Sequence, residues 1–212
     1  MSVWARAWEE LAEAGGAARL ELRAGADEVL SLDAGRWLGP PSPADIALLA
    51  GLDGPVLDIG CGPGRLVAAL TARGVPALGI DIAPAAVRLA RSRGVPVIVS
   101  DLFQPVPATG EWATALLMDG SVGIGGDPVR LLRRVRQLLR LGGCVVVEMA
   151  GPTRGTGTAC VRLGLPAGTW ASVDAARLVP LVAAAGLMLE RVTHAEGRSV
   201  ALLRVPAGPV AA

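Results

Sequence analysis

Four carboxylates stand at the ends of apolar runs in this chain: Asp58 in VLDIG, Asp81 in LGID, Asp101 after VIVS and Asp119 after LLM. Behind the first come three glycines in five positions, Gly60, Gly62 and Gly64. Glycines so closely spaced let backbone approach a ligand that side chains would block. A carboxylate at Asp81 can take both hydroxyls of a ribose, and one at Asp101 can accept from an exocyclic adenine amine. Asp58 and Asp119 add negative charge near the same turn. An acid-lined site of this kind suits a nucleoside carrying positive charge and repels a pyrophosphate.

The glycine turn alone leaves several readings open. A dinucleotide fingerprint, G-x-G-x-x-G, needs its third glycine where Arg65 stands, because that glycine lets helix and strand pack closely. A phosphate-binding loop needs G-K-[ST], and the chain has no Lys. The ribose role of Asp81 is shared with NAD-binding proteins and does not discriminate; Asp101 is more telling. Cys61, Cys144 and Cys160 share no metal-ligand spacing and form an odd set for disulfides. They read as structural thiols, and no metal site is expected.

Such residues need a scaffold that carries them to one edge. From Ser42 onward, strand and helix patterns alternate. Ser42-Pro43 supplies a cap followed by Pro at the first helical position, and Gly51 a stop. PVLDIG, PALGID, VPVIVS, ATALLM and CVVVEM read as five apolar strands. GRLVAALTARG, PAAVRLARSRG and DPVRLLRRVRQLLRLGG read as the helices between them, the last capped by Asp127. A further helix is expected over 173–185, capped by Ser172 and containing Pro180. LMLERVTH and SVALLRV follow, separated by too few residues for a crossover, so they must form an antiparallel hairpin. The expected fold is α/β: a Rossmann-like, doubly wound, seven-stranded sheet, mostly parallel with an antiparallel C-terminal strand, in three α/β/α layers. Parallel strands place their C-terminal ends along one edge, where ligands bind.

Ahead of this domain, Trp4, Trp8 and Leu11 fall at helical spacing. RLELRAGADEVLSLD then carries two alternating runs around Gly-Ala-Asp, the pattern of a hairpin. Residues 1–41 are therefore expected to form a lid over the site, and 42–212 the main domain of one structural unit. The segment 151–159, GPTRGTGTA, reads as a loop.

With a net charge of +1, the chain exerts no strong pull on nucleic acid or an anionic membrane. The apolar stretch 178–189 is too short to span a bilayer, and the N-terminus lacks the apolar core of a signal peptide. A soluble, cytoplasmic protein without membrane or nucleic-acid partners is expected. Lys and Tyr are absent, so a general base would come from Asp, Glu, Cys or the single imidazole, His194. On the helix near 128–139, Leu131, Leu132, Val135, Leu138 and Leu139 share one face. Arg130, Arg133, Arg134, Arg136 and Arg140 lie opposite, and read as a solvated basic face.

Taken in order, VLDIGCGPG, GIDIAP, SDLF and LLMDGSVGIGGDPVRLLRRVRQLLRLGGCVVVE resemble the class I S-adenosylmethionine-dependent methyltransferases, over about Ser42 to Glu148. The resemblance implies S-adenosylmethionine as cofactor and S-adenosylhomocysteine as product. It implies that Gly60, Cys61 and Gly62 line the methionine part through backbone, and that Asp58 supports the amino group. Asp81 would bind the ribose with Ile82 against adenine. Asp101 would hold the adenine amine, with Leu102 near it, and Met118 and Asp119 would sit beside the methionine moiety. Many amino-methylating members carry [ND]-P-P-[YFW] after the fourth strand. This chain has Asp119-Gly120-Ser121-Val122, a departure from adenine and glutamine N-methylation. A small-molecule acceptor is expected, met by Arg36, Trp37 and Ser121. Asp119, His194 and Glu148 are the catalytic candidates. The rival readings are an NAD-dependent oxidoreductase on a similar fold and a binding protein that keeps the cofactor but not turnover.

Overall fold

The computed structural model describes residues 8, 9, 11, 19–24, 28–149, 162–165, 168–171, 173–195 and 197–208. Trp8, Glu9 and Leu11 are helical, and Trp8 and Leu11 are buried; Trp4 lies outside the described residues. The hairpin follows as β1 (Arg19–Ala24) and β2 (Glu28–Asp33), paired antiparallel with Arg19 opposite Asp33. A short helix, α1 (Ala34–Leu38), leads to α2 (Pro43–Ala50). Ser42 starts α2 with a reciprocal cap: its hydroxyl accepts from the Asp45 N–H at 3.1 Å, and Asp45 accepts from the Ser42 N–H at 2.9 Å.

Strands and helices then alternate: β3 (Val56–Ile59), α3 (Arg65–Ala72), β4 (Ala77–Asp81), α4 (Pro84–Ser92), β5 (Val97–Val99) and β6 (Trp112–Leu117). Next come α5 (Pro128–Leu138), β7 (Leu139–Met149), the hairpin β8 (Arg162–Leu165) and β9 (Gly168–Ala171), and α6 (Ala175–Ala184). β10 (Met188–Ala195) and β11 (Arg198–Arg204) close the fold. Seven strands form one sheet in the order β10-β11-β7-β6-β3-β4-β5. β11 runs antiparallel to β7 and β10, while β7, β6, β3, β4 and β5 are mutually parallel. The sheet is thus the Rossmann-like one expected.

Burial on both faces explains the unbroken apolar strands. Leu131, Leu132, Val135 and Leu138 of α5 and Leu178 and Val182 of α6 cover one face, against Leu57, Leu117, Val145, Val147 and Leu203. Leu49 of α2 and Leu66 and Leu70 of α3 cover the other, against Val56, Leu116 and Val146.

Some expectations need correcting. α5 stops at Leu138, and the LRLGG that helical periodicity assigned to it is the start of β7. Leu138 and Leu139 fit either period, and pairing of Leu139 with Trp112 decides the matter. The cap of α6 is Asp174, which accepts from the Arg177 N–H at 3.1 Å, not Ser172, which lies outside the described residues. The hairpin β8–β9 carried no recognised signal, and the loop 151–159 lies outside the described residues. The arginines of α5 are not simply solvated: Arg133 donates twice to the Ala184 carbonyl, at 3.1 and 2.9 Å, capping the end of α6.

Candidate active site

β3, β4 and β5 deliver Asp58, Asp81 and Asp101 to the C-terminal edge of the sheet, as their order required. The turn after β3 is tied to β4: the N–H groups of Gly60 and Cys61 donate to the Ile80 carbonyl at 2.9 and 3.2 Å. Cys61 packs its thiol over Gly79, where a Cβ would meet the sulfur at 2.6 Å, so that glycine is required for the turn to sit down. Burial pushes the Cys61 thiol up, which marks it as structural. Asp81 accepts from the Gly62 N–H and the Ala83 N–H, both at 2.8 Å. Each of its oxygens keeps a lone pair for a further donor.

Asp58 differs from every other acid at this edge. It is 3% exposed, yet neither of its oxygens accepts a hydrogen bond from any described residue. Burial pushes its pKa up to about 7; the charge of Arg65 opposes the rise, and the nearby charges of Asp119 and Asp81 add to it. On the adenine side, Asp101 accepts from the Phe103 N–H at 2.9 Å. Ile82 and Val99 are 51% and 49% exposed, unusual for such side chains, and Val99 pairs with Asp81 across the strands. Leu102 and Met118 are buried in the two cores, so they can face a ligand at this edge only through backbone.

The β6–β7–β11 side of the edge is built on three arginines and three carboxylates. Arg65, first residue of α3, pairs with Asp45 of α2 and, at 2.6 Å, with Asp119. Arg198 of β11 reaches Asp45 at 2.8 Å and forks onto Glu148 at 2.7 and 2.9 Å. Arg36 of α1 lies 3.1 Å from both Glu148 and Asp119. The Asp119 N–H donates to Glu148 at 2.9 Å, which holds Asp119 at a φ of 53°, rare for a residue with a side chain. Burial would raise Asp45, but hydrogen bonds from Arg198 and Ser42 and the charge of Arg65 hold it at about 2. Glu148 is likewise lowered despite burial, chiefly by Arg198.

The structure gathers Arg36, Asp119 and Glu148 from the expected set and adds Asp45 and Arg198, which sequence reasoning missed. The local role of Asp45 is in the Ser42 cap, and nothing local marked Arg198. His194 is set apart. It is exposed, bonds the Ser199 hydroxyl at 2.8 Å through Nδ1, and stands across from Ser199 on β11. Ser199 pairs with Met149 and Glu148 with Val200, so His194 and Glu148 belong to opposite faces. Four strand spacings, about 19 Å, separate β10 from β3. Ser121 is buried beneath the glycine turn, its hydroxyl 2.9 Å from where a Gly60 Cβ would stand.

The N-terminal segment reaches this edge. A Cβ at Gly62, whose φ is 54°, would lie 3.0 Å from the Trp8 ring. Trp8 in turn stacks obliquely on Trp37, with centroids 5.7 Å apart.

Residues 56–143 match the family model described as a methyltransferase domain. The matched stretch is less than half of the chain, and the fold around it is that of the S-adenosylmethionine-dependent methyltransferases. A methyltransferase from Bacteroides fragilis, solved in complex with S-adenosyl-L-homocysteine, shares the fold with a TM-score of 0.77 at 23% identity, covering 95% of this chain and 94% of that one. The Burkholderia thailandensis 1,6-didemethyltoxoflavin-N1-methyltransferase is similar with a TM-score of 0.61 at 19% identity, over 77% of each chain. By sequence, the release factor glutamine methyltransferase of Rhodospirillum rubrum is 43% identical over 77 residues. That stretch is 34% of this chain and only 22% of the relative. The side chain at the third fingerprint position, Arg65, is committed to Asp45 and Asp119.

Proposed function

We propose that the protein transfers a methyl group from S-adenosylmethionine to a small-molecule acceptor. One observation carries the reading: Asp58 is a buried carboxylate without a hydrogen-bond donor among the described residues, beside a glycine turn. An ammonium group seated there supplies the missing donor and charge, directly or through one water. The rest of the edge fits the same ligand. Asp81 has lone pairs for ribose hydroxyls, Ile82 and Val99 offer apolar surface to a base, and Asp101 has an oxygen left for an amine. Gly60, Cys61 and Gly62 meet the amino-acid portion with backbone, and Asp119 lies beside it.

When bound, the cofactor supplies an electrophilic methyl on a sulfonium that is already a good leaving group. The chain's own task is then to align the acceptor and exclude water. In this reading Trp8, which lies over Gly62, and Trp37 behind it serve the second purpose. Arg36 and Trp37 are the expected residues left to meet the acceptor, whereas Ser121 is buried beneath Gly60. Glu148 is ionised but gripped by Arg198 and Arg36, and His194 stands on the other face. The site therefore favours an acceptor atom needing little basic help, such as a thiol, a carboxylate or a reactive carbon. Asp119 acts here by position and charge. The loop Asp119-Gly120-Ser121-Val122 sets this acceptor apart from glutamine side chains. A cytoplasmic location belongs to the same reading; among the described residues no helix is long and apolar enough to cross a membrane.

Calorimetric titration with S-adenosylhomocysteine and, separately, NAD tests the proposal. The expected result is binding of the former, abolished in Asp81→Ala. NAD binding with no response to the sulfur ligand would overturn it. Formation of S-adenosylhomocysteine from S-adenosylmethionine with an acceptor panel then separates an enzyme from a binding protein.

A further inference from the structure

The loop that carries Asp101 is held from outside, by the helix whose basic face its sequence gave no reason to connect with the site. Arg134 of α5 donates through Nε to the Leu102 carbonyl at 2.9 Å and through Nη2 to the Gln104 carbonyl at 2.8 Å. Its third nitrogen reaches the Gln137 side chain at 3.3 Å, and no carboxylate among the described residues pairs with it. One guanidinium thus bridges two carbonyls on either side of Phe103. The Phe103 ring, the one phenylalanine of the chain, lies under the Arg130 guanidinium at 4.1 Å. Gly125 also approaches this ring: a Cβ there would come 3.2 Å from it. Within the loop, Asp101 uses one oxygen to accept from Phe103 N–H, and its own carbonyl accepts from the Gln104 N–H at 3.0 Å. The direction of the remaining Asp101 oxygen is therefore set by the backbone that Arg134 clamps.

We propose that Arg134 is a positioning residue for Asp101: by clamping the Leu102 and Gln104 carbonyls it aims the free carboxylate oxygen at the exocyclic amine of the nucleoside. The inference rests on the cofactor reading above and deepens it, since it assigns base discrimination to a side chain that touches no ligand. A planar fork is needed for two carbonyls at once. A lysine ammonium at this place reaches one of them and leaves the other to water.

The test is titration of the full chain, as wild type, Arg134→Ala and Arg134→Lys, with S-adenosylhomocysteine and with its inosine counterpart, in which a carbonyl replaces the amine. Thermal melts run alongside. The wild type should prefer the adenosine ligand by about tenfold or more, because a site built to bond an amine rejects the analogue lacking it. Arg134→Ala should lose about tenfold for the adenosine ligand and little for the inosine one, collapsing the preference. Arg134→Lys should fall between, and it carries the test if the alanine variant does not fold. A loss of affinity equal for both ligands, or an unchanged preference in both variants, would show Arg134 to be merely structural. A wild type that binds both ligands alike would remove Asp101 from amine recognition and overturn this inference alone. A wild type that binds neither would sink the cofactor reading, and this one with it.

Discussion

The two halves of the sheet edge treat their carboxylates in opposite ways. Toward β3, β4 and β5, Asp58, Asp81 and Asp101 form no ion pair with any described residue. Toward β6, β7 and β11, Asp45, Asp119 and Glu148 are each held by two of the three arginines. The contrast is sharpest between two aspartates of nearly equal burial. Asp58 is 3% exposed and Asp45 is 1% exposed, yet the first titrates at about 7 and the second at about 2. Burial pushes both upward; guanidinium hydrogen bonds reverse it in one and are missing in the other. The paired half behaves as framework, and under the proposed function the unpaired half is the one that meets the ligand.

The largest effect should come from breaking the paired half. Arg198→Met leaves Asp45 and Glu148 buried with half their partners, and should cost about 3–5 kcal/mol in a denaturant titration. A loss below about 1 kcal/mol would deny the network its structural role. Asp58→Asn should do the reverse. It removes a buried charge without a partner, so stability should hold or rise, while affinity for S-adenosylhomocysteine falls by about tenfold or more. Asp45→Asn, measured in parallel, should destabilise; similar behaviour of the two variants would erase the distinction.

The pH dependence separates the halves again. Ligand ammonium prefers ionised Asp58, so affinity should rise about tenfold from pH 6 to pH 8 and be flat in Asp58→Asn. Stability of the free protein runs the other way. Folded Asp58 keeps its proton up to about 7, whereas the unfolded chain releases it near 3.8, so its stabilising contribution is full below that value and lost as pH rises through 7. Denaturation curves of wild type and Asp58→Asn across that interval would reveal the difference in slope. The smallest expected effect is that of Ile82→Ala. Losing apolar contact with the base should cost about 1 kcal/mol, roughly fivefold in affinity by calorimetry.

Much of the open half was legible beforehand because its signals are local. Asp58, Asp81 and Asp101 each follow an apolar run, and parallel strands need no further information to bring their ends together. The glycine spacing was equally plain, although the need for Gly79 beneath Cys61 was not. The paired half was largely illegible. Arg36 and Glu148 lie 112 positions apart, and Asp45 and Arg198 lie 153 apart. No pattern within a helix or strand records such a pairing. Asp45 also answers two demands at once, and its role in the Ser42 cap hid the other. His194 misled for a related reason: its place at a strand end was read correctly, but the face depends on register with β11.

By itself, the sequence determined the alternation of strands and helices, the caps at Ser42 and Asp127, the reversed strand near the C-terminus and the order of acids along the edge. These follow from hydrophobic period, Gly and Pro punctuation and connection length, all short-range properties of the chain. Only the tertiary structure decided where α5 yields to β7, which acids receive an arginine and which are left without one, and that Trp8 lies over Gly62. Those outcomes depend on groups distant in sequence meeting away from water, where a charge is stable only with a partner at hydrogen-bond distance.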